Sequence, residues 1–168
     1  MVNCLSWCLL FYLGLQRIWE LYRANQNARA LASAGAKEYG RAHYPVLVVF
    51  HALFFVLMAY FVANGARLGP KGIPWLILFA LAQALRFWSI HSLGARWTTR
   101  IWILPSTPLV RNSPYRLLRH PIYTAVFLEL LCLPMAYGLP ALALSVTLIN
   151  MILLSIRIRA ENAALSSQ

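Results

Sequence analysis

Apolar residues gather into five long runs along this 168-residue chain, over residues 2–21, 45–63, 73–92, 121–137 and 140–156. The hydrocarbon core of a bilayer takes about 20 residues of helix, and shorter runs are accommodated by thinning or snorkelling, so each run predicts a membrane-crossing helix. Each has a tryptophan, a tyrosine or a basic residue near at least one end, as interfacial anchoring requires. Only Gly138 and Leu139 separate the last two runs, which predicts a tight antiparallel hairpin, and Pro134 is placed to kink the fourth helix near its exit. The predicted fold class is therefore all-α: one polytopic membrane domain over residues 1–168, with five transmembrane helices.

Two longer stretches interrupt the pattern. Residues 22–44 begin with Ala28, Ala30, Leu31, Ala32 and Ala34, which predicts a surface continuation of the first helix ended by Gly35. Residues 93–120 carry Trp97, Trp102, Pro105, Pro108 and Pro114, which break a continuous helix while keeping the segment apolar. This stretch is expected to lie in the interface or to fold back over the hairpin.

Composition agrees with the pattern: 61% of residues are hydrophobic and 11% charged, against about a quarter charged in soluble domains. The net charge of +11 raises nucleic acid as a partner, but the cations cluster beside apolar runs, so membrane anchoring is expected and nucleic acid is not. Their distribution sets an orientation. Residues 22–44 hold Arg23, Arg29, Lys37 and Arg41, residues 93–120 hold Arg96, Arg100, Arg111, Arg116 and Arg119, and the tail adds Arg157 and Arg159. The loop between the second and third runs holds only Arg67 and Lys71. The N-terminus is expected outside, with both long loops and the C-terminus cytoplasmic. The first run is expected to stay as a span, because no basic segment precedes it and Arg17, Glu20, Arg23 and Arg29 precede the small-residue Ala30-Leu31-Ala32 site. Segments 116–123 and 157–162 then emerge on one membrane face, at the two ends of the hairpin.

Few residues can carry chemistry. Cys4, Cys8 and Cys132 lie inside apolar runs without paired spacing, which predicts packing and no metal site. Of the four acidic residues, Glu20 and Glu38 lie near basic neighbours and are expected to form structural pairs, Glu20 with Arg17 and Arg23 at helical spacing. Glu129 lies nine residues beyond His120, about 13 Å deep at helical rise. An intramembrane carboxylate is a functional candidate, and Glu129 is expected either to pair with Arg86 or to belong to the site. Glu161, one turn beyond the last span, is brought beside His120, whose imidazole can donate or accept a hydrogen bond. His43, His51 and His91 lack such company and are expected to pack or to lie in the interface. No phosphate loop, dinucleotide fingerprint, His-Glu-x-x-His or Gly-x-Ser-x-Gly motif is present.

The segment from Pro114-Tyr115-Arg116 through Arg119-His120-Pro121-Ile122-Tyr123, followed by two helices and Arg157-Ile158-Arg159-Ala160-Glu161-Asn162, resembles the isoprenylcysteine carboxyl methyltransferase family. The likeness continues upstream through Arg86-Phe87-Trp88, Leu93-Gly94-Ala95-Arg96-Trp97 and Gln16-Arg17-Ile18-Trp19-Glu20-Leu21, and so covers most of the chain. It departs where the family usually has glycines, at Ser113 and Ala125, and where a second glutamate is replaced by Asn162. The Glu129 position and the tail look like the short bacterial branch that methylates long-chain pyrones or phenolic lipids, which implies a bacterial inner membrane.

The resemblance implies S-adenosylmethionine as cofactor, held by Tyr115, Arg116, His120, Pro121, Tyr123, Glu161 and Asn162. Pro121 opens a helix whose free amides suit the cofactor's carboxylate, and Glu161 suits its ammonium. His120, Glu161 and Arg157 are the expected catalytic residues. Glu129, Arg86 and Trp97 are the expected contacts to a membrane-embedded, lipid-like acceptor, a prenylcysteine-type carboxylate or a long-chain hydroxypyrone or phenol. Trp88, Trp97 and Trp102 are expected near its portal, or as interfacial anchors. Two alternatives stand beside this reading: an NADPH-dependent membrane lipid reductase, since such enzymes share Arg-His-Pro-x-Tyr, and a non-catalytic membrane scaffold.

Overall fold

A computed structural model describes residues 4–105, 107–108, 110 and 113–166. The start of the first predicted span at Val2, and Arg111, lie outside them. Five helices account for most of the fold: α1 (Cys4–Ser33), α2 (Tyr44–Ala63), α3 (Ile73–Leu93), α4 (Pro121–Ala136) and α5 (Pro140–Ser166). Proline sits in the first two positions of α2, α3 and α4, where its fixed φ suits a helix start and its missing N–H has no intrahelical partner to lose. α1 continues unbroken to Ser33, as the alanine-rich segment predicts. Gly35 then turns the chain at φ +87°, and the amides of Gly35 and Ala36 satisfy the carbonyls of Ala32 and Leu31. α4 ends in the same way, with Gly138 at φ +69° and the amides of Gly138 and Leu139 bonded to Met135 and Pro134.

α4 is the innermost helix, packed along both α3 and α5. Its Leu130, Leu133 and Ala136 join Leu13 of α1, Phe54 and Met58 of α2 and Phe79 of α3 in one core. The outer faces are apolar as well: Leu53, Val56 and Tyr60 on α2, Ile77 and Leu81 on α3, and Leu148 and Ile152 on α5 are all exposed. So large an apolar surface suits lipid, and the helices satisfy their own backbone polar groups as lipid demands. Three segments, 41–63, 70–96 and 140–166, are long and apolar enough to cross a bilayer, which makes this an integral membrane protein. α4 has 16 residues, about 24 Å at helical rise. Of the cysteines only Cys132 packs in the core; Cys4 and Cys8 face outward.

The two long loops meet in a small sheet that the hydrophobic pattern did not predict. β1 (Lys37–Tyr39) pairs antiparallel with β2 (Ile101–Ile103), Glu38 opposite Trp102. Ile101 and Ile103 bury against Tyr39 and against Ala160, Ala164 and Leu165 of α5, so the second loop folds back over the hairpin's end. Glu38 accepts hydrogen bonds from Arg41 Nε at 2.7 Å and Arg100 Nη1 at 3.2 Å, which ties the two loops together.

Candidate functional site

The beginning of α4 and the last third of α5 meet at Tyr123. Its hydroxyl donates to Glu161 Oε2 and accepts from Arg157 Nε at 2.9 Å. Arg157 also donates through Nη2 to the Thr99 carbonyl at 2.8 Å, so one guanidinium ties α5 both to α4 and to the loop leading into β2. Glu161 and Arg157 are one helical turn apart and reach the same phenol, which gives α5 its orientation over α4. His120 precedes α4 and leaves helical geometry at φ −135°, ψ 67°. Its ring stacks on Tyr123 with centroids 5.3 Å apart and planes 20° apart.

Two buried polar atoms on the segment before α4, His120 Nε2 and Tyr115 Oη, lack a protein partner. A buried polar group without a partner costs about 1–3 kcal/mol, which makes this segment a candidate place for a polar ligand. Burial, and then the negative charge of Glu161, raise the Tyr115 phenol above its ordinary pKa. Tyr115 therefore remains a hydrogen-bond donor throughout the neutral range. Pro121 is buried beneath His120, and the His120 carbonyl accepts from the Thr124 amide at 3.1 Å. Of the other expected cofactor contacts, Asn162 is half-buried on α5, and Arg116 is exposed on a turn closed by the Leu117 and Leu118 amides onto the Pro114 carbonyl. Ala125 has no exposed surface.

A second polar cluster lies inside the bundle. Six residues along α4 from Tyr123, about 9 Å, Glu129 Oε2 accepts from Arg17 Nη2 at 2.5 Å and lies 3.6 Å from Arg86 Nη1. Arg86 is held more closely by Glu20, through Nη2 at 2.6 Å and Nε at 2.9 Å. Arg17 closes the ring by donating to Glu20 at 2.8 Å, and Gln16 bridges Glu20 to Gln83. Two cations and two anions on α1, α3 and α4 thus neutralise each other away from water. A cavity of about 20 Å³ adjoins Arg17 and Glu129 between Leu13, His51, Phe54 and Phe79, room for about one water.

The expected Arg86–Glu129 pair is present as the weaker half of this ring. The expected Arg17–Glu20 pair is present at 2.8 Å, while the Arg23 half of the expectation is corrected: Glu20 is 2% exposed and also held by Arg86 on another helix, and Arg23 lies over the Trp19 ring at 5.4 Å. Trp97 is buried at 4% exposure, which overturns an interfacial anchor at that position, and its carbonyl accepts from Asn27 at 2.8 Å. Trp88 is exposed on α3, as an anchor would be. Sequence reasoning passed over Gln83 and gave Gln16 no role beyond the resemblance, although Gln16 and Glu20 are one helical turn apart on a span. It also passed over the Thr99 carbonyl, which only the folded loop brings to Arg157.

The sequence profile of the isoprenylcysteine carboxyl methyltransferase family matches residues 75–167, more than half of the chain and all of α4 and α5. The chain belongs to this family. Membership makes it a membrane protein of a methyltransferase family, whose members use S-adenosylmethionine. Across its length the chain is 36% identical over 163 residues to a Bacillus subtilis protein described as "Uncharacterized protein YpbQ", covering 95% of each. It is 29% identical over 153 residues to an "Uncharacterized protein" of Haemophilus influenzae, covering 89% of this chain and 88% of that one. No solved structure matches the chain.

Proposed function

We propose that this protein is an S-adenosylmethionine-dependent O-methyltransferase for a membrane-embedded, lipid-like acceptor, with its site on the cytoplasmic face of a bacterial inner membrane. The observation that carries the reading is the Tyr123 hydroxyl held between Glu161 and Arg157, beside the unpartnered Tyr115 Oη and His120 Nε2. In this reading α1 and α4 cross the bilayer with the three longer spans, and the N-terminus is outside.

Bound here, S-adenosylmethionine supplies a methyl group made electrophilic by its sulfonium. Glu161 offers a carboxylate to the cofactor's ammonium, and the first amides of α4, beyond Pro121, offer donors to its carboxylate. Tyr115, kept protonated, donates a further hydrogen bond. Arg157 fixes Tyr123, and through it the angle at which α5 presents Glu161. The residues around Tyr123 would serve chiefly to hold an acceptor oxygen in line with the methyl group and exclude water, since alignment can supply about 7–11 kcal/mol of a barrier. A carboxylate acceptor is already ionised at neutral pH and needs no base. A hydroxypyrone or phenol gives up its proton to His120 Nε2 or Glu161. The tail enters sideways between helices, and the Arg86–Glu129 cluster and Trp97 lie along its expected path.

Isothermal titration of S-adenosylhomocysteine into detergent-purified protein tests the reading. Binding is expected, weakened by His120→Ala; no heat with the natural protein and no change in the variant would sink it.

A further inference from the structure

The end of the bundle opposite Tyr123 holds a cleft of about 380 Å³ between the start of α3 and the α4–α5 turn. Its walls include Arg67, Lys71, Gly72, Trp75, Tyr137 and Pro140. Two helices begin at this cleft, α3 just after the Pro70–Gly72 turn and α5 at Pro140. Both point their positive dipole ends toward it. α4 ends here too, but its Pro134 and Met135 carbonyls are already taken by the amides of Tyr137, Gly138 and Leu139. The approach of α3 to α4 is close: a Cβ on Gly72 would lie 2.1 Å from the Ala136 carbonyl oxygen.

Charge at this end is unbalanced. All four carboxylates of the chain lie elsewhere, Glu20 and Glu129 with Arg17 and Arg86, Glu38 with Arg41 and Arg100, and Glu161 with Tyr123. Arg67 and Lys71 are exposed, and among the described residues no carboxylate pairs with either. Two cations without a carboxylate partner, two helix N-termini and a half-buried tryptophan thus line one concavity at the end of the apolar helices.

We infer that this cleft binds the phosphate of an anionic membrane lipid. The guanidinium of Arg67 and the ammonium of Lys71 bind the phosphate oxygens, the α3 and α5 N-termini add to the positive field, and Trp75 lies against the glycerol and upper acyl chains. A lipid is favoured over a soluble anion because the cleft opens where apolar helix faces meet the interface, so an acyl chain can lie along the α3 surface while the headgroup is held. The inference rests on the membrane setting and is independent of methyl transfer. A lipid held here would staple the start of α3 to the α4–α5 turn and so steady the hairpin whose other end carries Tyr123 and Arg157.

Native mass spectrometry of the full chain, released from detergent after incubation with phosphatidylglycerol or phosphatidylcholine, tests it. Preferential retention of phosphatidylglycerol is expected. The double variant Arg67→Gln/Lys71→Gln is expected to weaken that retention about 30-fold, at the usual value of one basic residue near an anionic surface. Arg67→Lys is expected to keep most of it. The variant Arg29→Gln/Lys37→Gln, which removes the same charge from the opposite end, is expected to leave it unchanged. Equal retention of the two lipids overturns the site, and so does an equal loss in both double variants. Inorganic phosphate titrated into the same protein distinguishes the source: binding as tight as that of phosphatidylglycerol overturns the assignment to a lipid.

Discussion

Tyr123 is the residue on which the candidate site turns, because a single hydroxyl joins α4 to both Glu161 and Arg157. Tyr123→Phe removes both bonds and leaves the ring stacked on His120. Hydrogen bonds to charged groups contribute about 1.5–3 kcal/mol, so kcat/KM for methyl transfer is expected to fall roughly 10- to 100-fold. The helical content by circular dichroism should not change. Tyr115 carries a pH prediction. Its phenol ionises less readily when folded than when unfolded, first through burial and then through Glu161, so the unfolded chain gives up this proton first as the solution turns alkaline. The associated stability is complete below about pH 10, the ordinary tyrosine value, and falls as pH rises beyond it. Thermal unfolding in detergent should therefore show a steeper alkaline loss for the natural protein than for Tyr115→Phe. At this scale Tyr115, His120, Tyr123 and Glu161 could be picked out from the sequence, since a short motif and the helical spacing from Arg157 identify them. Their bonding could not, because the partners lie 34 and 38 residues away from Tyr123.

Between elements, the ring of Arg17, Glu20, Arg86 and Glu129 links α1, α3 and α4 with opposite charges held out of water. Removing one member leaves its partner buried and unbalanced, at a cost of about 3–5 kcal/mol. Glu20→Ala should accordingly lower the thermal midpoint in detergent much more than Glu38→Ala. The Glu38 carboxylate is as buried, but its partners Arg41 and Arg100 are 75% and 43% exposed and return to water when it is lost, a change of about 1 kcal/mol or less. The double variant Glu20→Gln/Arg86→Gln keeps the charges balanced and should recover part of the loss. The helices themselves were legible from their apolar runs, proline starts and glycine ends. The β1–β2 pairing was not, because strands of three residues carry no periodicity and join segments more than sixty residues apart.

Over the whole molecule, unequal loop charge predicts which face holds the candidate site. With Cys4, Cys8 and Cys132 replaced by alanine, a membrane-impermeant maleimide added to intact cells should label Arg67→Cys and spare Arg116→Cys until the membrane is opened. The reverse labelling would place the Tyr123 site outside and remove the cytoplasmic reading. By itself the sequence determined the membrane class and the helices, because hydropathy and the placement of proline and glycine act locally along the chain. Only the tertiary structure decided that Glu20 belongs to Arg86, that Trp97 is buried, that the loops pair over the end of α5, and that Arg67 and Lys71 share a cleft without a carboxylate. Those outcomes depend on which faces of distant helices meet, and a buried charge takes whichever opposite charge the packing brings within reach.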